Sequence, residues 1–243
     1  MISPRTARLV ASIHKWLGLI VGAQLIIWTA TGLFFASFHI SDVRGEKLIH
    51  PSSHAEKIDL SRVKLSTTDA LKAVAEDRPA EVILRPLAGD PVYEIRADIG
   101  VFLVSAETGS IVSPLSEELA RKIAIAAWAG PGAVQSMELL EAAPHESGLA
   151  GQVWAAHFAG EGHPTLYVTA TNGQTSLPRT DLWRTYDFLW SLHIMDWGPA
   201  RENFNTPWMV AAAIFGLSTV LFGVVLLVHR FTRGVLREKK EMP

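Results

Sequence analysis

Apolar positions are spread very unevenly along this chain. Residues 16–38 (WLGLIVGAQLIIWTATGLFFASF) and 207–229 (PWMVAAAIFGLSTVLFGVVLLVH) are two runs of 23 residues without an Asp, Glu, Lys or Arg. At a helical rise of 1.5 Å per residue each is about 34 Å long, enough to cross a hydrocarbon layer of about 30 Å with some tilt. They predict transmembrane helices over 16–38 and 207–229. The first run has a longer apolar part than the roughly 7–15 residues of a cleaved leader, and Ala36-Ser37-Phe38 is a poor cleavage site, so it reads as an uncleaved anchor.

Between the runs the pattern breaks into short segments. Residues 91–96 alternate, with Val92, Glu94 and Arg96 on one face and Tyr93 and Ile95 on the other, which predicts a strand. Residues 152–158 predict another. Ser66-Thr67-Thr68-Asp69, followed by ALKAVAED, opens a helix with capping-box spacing. Ser116-Glu117-Glu118 opens a second helix with acids in its first turn, running to about Trp128 and stopping at Gly130-Pro131-Gly132. Residues 181–195 predict a last short helix. Trp183, Tyr186, Leu189, Trp190 and His193 form one aromatic stripe on it, suited to a membrane surface, and it ends at Trp197-Gly198-Pro199.

A weak internal repeat organises the middle. Residues 104–110 (VSAETGS) match 168–174 (VTATNGQ) at an offset of 64 residues, each an apolar strand entering a Thr-Gly or Asn-Gly turn. The unit is helix, strand, strand, used twice, with 131–150 expected as a loop inserted in the second copy alone. The expected organisation is a basic N-terminus (1–15), first span (16–38), first module (39–114), second module (115–180), aromatic helix and connector (181–206), second span (207–229) and basic tail (230–243).

Charge orients this arrangement. Of 22 basic and 24 acidic residues, the two flanks hold 8 and 2, which leaves the middle 14 basic to 22 acidic. Basic flanks stay on the cytoplasmic side, so both termini are expected in the cytoplasm and the middle in the periplasm of a bacterial inner membrane. The chain has no cysteine, which excludes disulfides, iron–sulfur clusters and thiolate chemistry. It lacks G-x-S-x-G, H-E-x-x-H and a phosphate-cradling glycine loop, and an acidic middle argues against nucleic acid as a partner.

Ile13-His14-Lys15-Trp16-Leu17-Gly18 and Thr29-Ala30-Thr31-Gly32 in the first span, Tyr167-Val168 through Asn172-Gly173-Gln174, and Tyr186-Asp187-Phe188-Leu189-Trp190-Ser191-Leu192-His193 carry a resemblance to the PepSY-associated transmembrane family. The resemblance implies an α+β membrane protein: two transmembrane helices flanking a periplasmic domain of two PepSY-like helix-plus-antiparallel-strand modules. Larger relatives resemble b-haem membrane reductases acting on ferric siderophores, with histidines in membrane helices as axial ligands. Isolated PepSY modules are associated with peptidase inhibition. This chain departs from the larger pattern in having two spans where those relatives commonly have four.

Four of the nine histidines lie near the spans: His14, His39, His193 and His229. If the spans run antiparallel, His14 and His229 sit at the cytoplasmic boundary at similar depth, where two imidazoles can take both axial positions of a haem b iron. Gly18 and Gly22 share the face of His14 and leave room for a macrocycle. Gly216 and Gly223 are expected to point elsewhere. His39 and His193, at the outer boundary, are candidates for a second site or for a ferric substrate. His50, His54, His145, His157 and His163 read as loop polarity, since their spacing fits no ligand motif. The function expected is haem-dependent electron transfer to a periplasmic acceptor, a ferric siderophore or similar. The alternative is a membrane-anchored binding module that docks a peptide, a protease or a partner subunit. Two spans make a thin bundle, so a homo-oligomer or a partner membrane subunit is expected in the lipid bilayer.

Overall fold

The structure, a computed structural model, describes residues 3–50, 58–75, 81–198 and 203–241, with side chains described as far as Thr232. The chain falls into two compact units, Met1–Ser37 with Asp187–Pro243, and Phe38–Tyr186. His54, Glu76, Asp77 and Pro199 lie outside the described residues.

The first unit is built on two long helices, α1 (Pro4–Ser37) and, at the other end of the chain, the helix Pro207–Glu241. Both are long and apolar enough to cross a membrane, and almost none of the residues in their most apolar windows is buried within the chain. Ser3 starts α1 by accepting a hydrogen bond from the Thr6 amide at 3.2 Å. Thr206 caps the last helix through the Met209 amide at 3.2 Å, with Pro207 in the first-turn position where its missing N–H costs nothing. Both helices run past the expected spans into the basic flanks. Partly buried positions of α1 include Ala7, Val10, His14, Leu17, Val21, Gln24, Trp28 and Phe35, with Thr31 buried among them, at alternating steps of three and four. On the last helix they include Ala212, Gly216, Thr219, Gly223 and Leu226. That 3.5-residue period keeps one seam facing its partner along an antiparallel pair.

The second unit carries the repeat. After the short α2 (Ile40–Val43) comes α3 (Thr67–Ala73), capped by Ser66, whose hydroxyl accepts from the Asp69 amide at 3.2 Å and donates to the Asp69 carboxylate at 2.7 Å. Strands β1 (Glu81–Leu87), β2 (Asp90–Ala97) and β3 (Gly100–Ser105) follow as an antiparallel sheet in that order. Helix α4 (Glu117–Ala127), capped by Ser116, then precedes β4 (Val134–Leu140), β5 (Val153–Phe158) and β6 (Thr165–Thr169), a second sheet with the same order. The unit is thus one helix and three strands, not two. Residues 131–150, expected as an insertion, contain β4, the counterpart of β1.

The 64-residue offset recurs atom for atom at the turns. Ser105 donates to the Ser110 carbonyl and Gly109 to that of Ser105; Thr169 donates to Gln174 and Gly173 to Thr169, all within 2.9–3.0 Å. Gly109 and Gly173 adopt φ of +79° and +72°. The alternation read in β2 holds as well. Val92 joins Leu103, Ile123, Phe158, Leu166 and Val168 in the core between the sheets and α4, while Tyr93 and Ile95 pack with Ala70 of α3. Glu94 shares the Val92 face at 3% exposure, and its carboxylate accepts from Arg85 at 2.7 Å and Arg96 at 2.9 Å. The last short helix, α5 (Asp181–Ile194), leads back to the first unit and to α6, the helix Pro207–Glu241.

Candidate functional site

His14 lies on the seam of α1, and its ring rests against Gly223 of α6. A Cβ added at Gly223 would stand 3.1 Å from His14 Cε1, so a side chain there would press on the ring. Gly223 therefore faces His14, contrary to the expectation that it points elsewhere. His14 Nδ1 is 3.0 Å from the backbone carbonyl of Thr219. A carbonyl only accepts, so the proton is on Nδ1 and the lone pair on Nε2, which has no hydrogen bond among the described residues. A hydrogen bond of this kind, on the nitrogen away from the metal, fixes tautomer and ring orientation in metal-ligating histidines. At Gly18 and Gly22 an added Cβ meets nothing within 4 Å, so this flank of α1 is open as expected.

His193, near the end of α5, is held in a parallel way. Its Nδ1 is 2.7 Å from Thr31 Oγ1. Thr31, buried on α1, also approaches the Ile27 carbonyl at 2.8 Å. With the hydroxyl proton given to that carbonyl, His193 Nδ1 donates and Nε2 again keeps its lone pair. Trp190 stacks on the ring at a centroid distance of 6.1 Å, Phe35 meets it edge-on at 5.4 Å, and the Trp28 indole N–H donates to the His193 carbonyl at 2.8 Å. Sequence reasoning picked out His193 but not Thr31, the residue that orients it; a hydroxyl on the same seam as His14 and Gln24 was the available signal.

His229 has both ring nitrogens buried without a hydrogen-bond partner among the described residues. It stands six residues beyond Gly223, about 9 Å further along α6. His14 and His229 of one chain are therefore not level, as equal depth required. His39 is exposed at the start of α2, where its side chain makes no capping hydrogen bond. An imidazole seated through Nδ1 with Nε2 unclaimed, an open glycine flank beside it and a second imidazole with two orphaned nitrogens suit an axial haem ligand set in chemical type. They do not form a level pair within one chain.

The Phe38–Tyr186 unit holds a polar cluster that was not foreseen. Glu146 accepts a two-pronged ion pair from Arg184, both contacts at 3.0 Å, and a hydrogen bond from the Tyr167 hydroxyl at 2.6 Å; Arg179 donates to its backbone carbonyl. Burial pushes the Glu146 carboxyl up, but the Arg184 and Tyr167 hydrogen bonds outweigh it and hold it below the usual range. The same burial and the Glu146 carboxylate push the Tyr167 hydroxyl well up. Donors and acceptors are matched throughout, so the cluster ties the 141–149 segment to β6 and α5. His163 pairs with Asp181 at 2.6 Å. Among the described residues no three His, Asp or Glu side chains form a metal-binding group.

Compared with protein-family models, curated proteins and solved structures, the chain matches none.

Proposed function

We propose that this chain is an inner-membrane protein of the PepSY-associated type, with both termini in the cytoplasm and the 38–186 domain in the periplasm, that binds b-type haem through membrane histidines and passes electrons to a periplasmic acceptor such as a ferric siderophore. The observation that carries this reading is the matched seating of His14 and His193. Each ring is tied through Nδ1 to a partner on the helix seam, Thr219 or Thr31. Each keeps Nε2 as the ligating nitrogen. They lie 17 residues apart in level along α1, from His14 to Thr31, or about 25 Å, so they serve opposite halves of a bilayer. A bound haem b supplies one-electron transfer, with a potential set by burial and axial ligation. The stagger of His14 and His229 makes a second copy, or a partner membrane subunit, the source of a level counter-ligand. His229 and His39 remain the candidates within the chain.

An absorption spectrum of the full-length protein, purified after haem-replete expression, tests this. A Soret band is expected, and His14→Ala and His193→Ala each weaken it. A colourless wild-type protein sinks the reading.

The alternative, docking of a peptide, protease or subunit by strand addition, has the outer edges of β1 and β4 to use. Pro86 interrupts one edge, and the irregular register at Val134/Ser136 with nearby Glu138 disturbs the other. Such features blunt an edge against added strands, which favours the haem reading.

A further inference from the structure

A cavity of about 420 Å³ opens between α1, the segment just after α5 (Met195 and Trp197) and α6. Its cause is legible on the seam. Opposite Gln24 and Trp28 of α1, α6 presents Ala211, Ala212 and Gly216, which are too small to fill the gap. Trp28, Trp197, Trp208 and Phe215 supply aromatic walls, and apart from the Met195 thioether the lining is otherwise aliphatic. The exception is Gln24, whose amide nitrogen is buried without a hydrogen-bond partner among the described residues. The Trp28 indole is already committed to the His193 carbonyl.

With α1 spanning a bilayer, Gln24 lies about 12 Å along the helix from Trp16 and about 20 Å from Ser37. That is hydrocarbon depth, where no water and no phospholipid ester carbonyl reaches the amide. An unpaired amide there is costly, so the cavity requires an occupant that is apolar, flat enough for aromatic walls and equipped with a hydrogen-bond acceptor.

We propose that this cavity binds the head group of an isoprenoid quinone, with Gln24 donating to a ring carbonyl and the isoprenoid tail leaving into lipid. An acyl chain fits the apolar walls but offers the amide nothing, and an ester carbonyl stays at the interface. A quinone combines an apolar body with carbonyl acceptors that travel at this depth. The inference rests on α1 and α6 spanning a membrane and is independent of haem binding.

The test uses full-length protein in phosphatidylcholine nanodiscs and an azido-ubiquinone photoprobe, with cross-links mapped by mass spectrometry. Saturable labelling of the Trp28 and Trp208 segments is expected, competed by ubiquinone-1 and not by dodecane. Gln24→Leu, which keeps the volume and removes the donor, raises the half-saturating concentration about tenfold, the loss of one hydrogen bond in apolar surroundings. Ala212→Phe, which fills the gap, abolishes labelling while the thermal transition persists. Labelling that dodecane competes equally, or that Gln24→Leu leaves unchanged, overturns the proposal. So does a dimer that Gln24→Leu converts to monomers, because the amide then pairs with a second copy. None of these readouts depends on a Soret band, so the two proposals fail separately.

Discussion

Glu146 shows how one carboxylate can secure a loop. It neutralises Arg184 through a two-pronged contact, satisfies the Tyr167 hydroxyl and lends its own backbone carbonyl to Arg179. Its pKa is held below the ordinary value of 4.5 in the folded chain. A depressed carboxylate contributes stability that is fully present above the unfolded value and is withdrawn as pH falls through the folded one. The urea midpoint of the wild-type protein should therefore drop as pH falls below 4.5 by more than that of Glu146→Gln, which is weaker at neutral pH but loses less on acidification. Equal slopes in the two proteins would remove this assignment. In the sequence Glu146 appears only as a polar residue beside His145, because its partners lie 21 to 38 positions downstream and no periodicity connects them. His14 and His193 could be singled out as candidates because position relative to an apolar run needs no knowledge of partners. Their seating was not, since it depends on a backbone carbonyl of α6 and on the register between two helices far apart in the chain.

Among the elements, what announces itself locally was readable and what depends on pairing was not. The caps at Ser66 and Ser116, the strands at 91–96 and 152–158 and the paired turns at Gly109 and Gly173 all follow from spacing or turn chemistry. Strand β1 escaped notice because Pro86 argues against a strand, an argument that fails on the edge of a sheet, where a missing N–H costs little. Strand β4 escaped because its register shifts between Val134 and Ser136, which breaks the alternation that would mark it. The turns make a quantitative comparison possible. Gly89 and Gly173 both have positive φ, but a Cβ meets nothing at Gly89, whereas at Gly173 it stands 2.9 Å from Leu87 and 3.0 Å from Ile123 in the core between the sheets. Gly89→Ala should cost about 1 kcal/mol, the strain of the left-handed backbone alone. Gly173→Ala should cost about 2–4 kcal/mol, because overpacking is added to that strain. Urea unfolding followed by tryptophan fluorescence measures both, and similar losses would show that the core absorbs the methyl group.

For the whole molecule, the sequence announced two long apolar helices and a mixed domain between them, because apolar runs and charge bias are sums over many residues and survive local misreadings. Topology is testable against a clean background, since the chain contains no cysteine. With basic flanks inside, a cysteine placed at Ile99, an exposed position in the β2–β3 turn, should react in intact spheroplasts with an impermeant maleimide, and a cysteine placed at Ser3 should react only after lysis. Labelling of Ser3→Cys in intact cells would invert the arrangement.

The seam between α1 and α6 joins segments that a ribosome makes far apart in time. Some 170 residues separate Ser37 from Pro207. At about 5–20 residues per second, α1 waits roughly 10–35 s for its partner. With α1 in a membrane as proposed, His14, Gln24 and Thr31 stand there throughout that interval with no second helix to cover them. On that reading, biogenesis calls for an insertase or a lipid-facing chaperone that shelters a solitary, partly polar helix until translation ends.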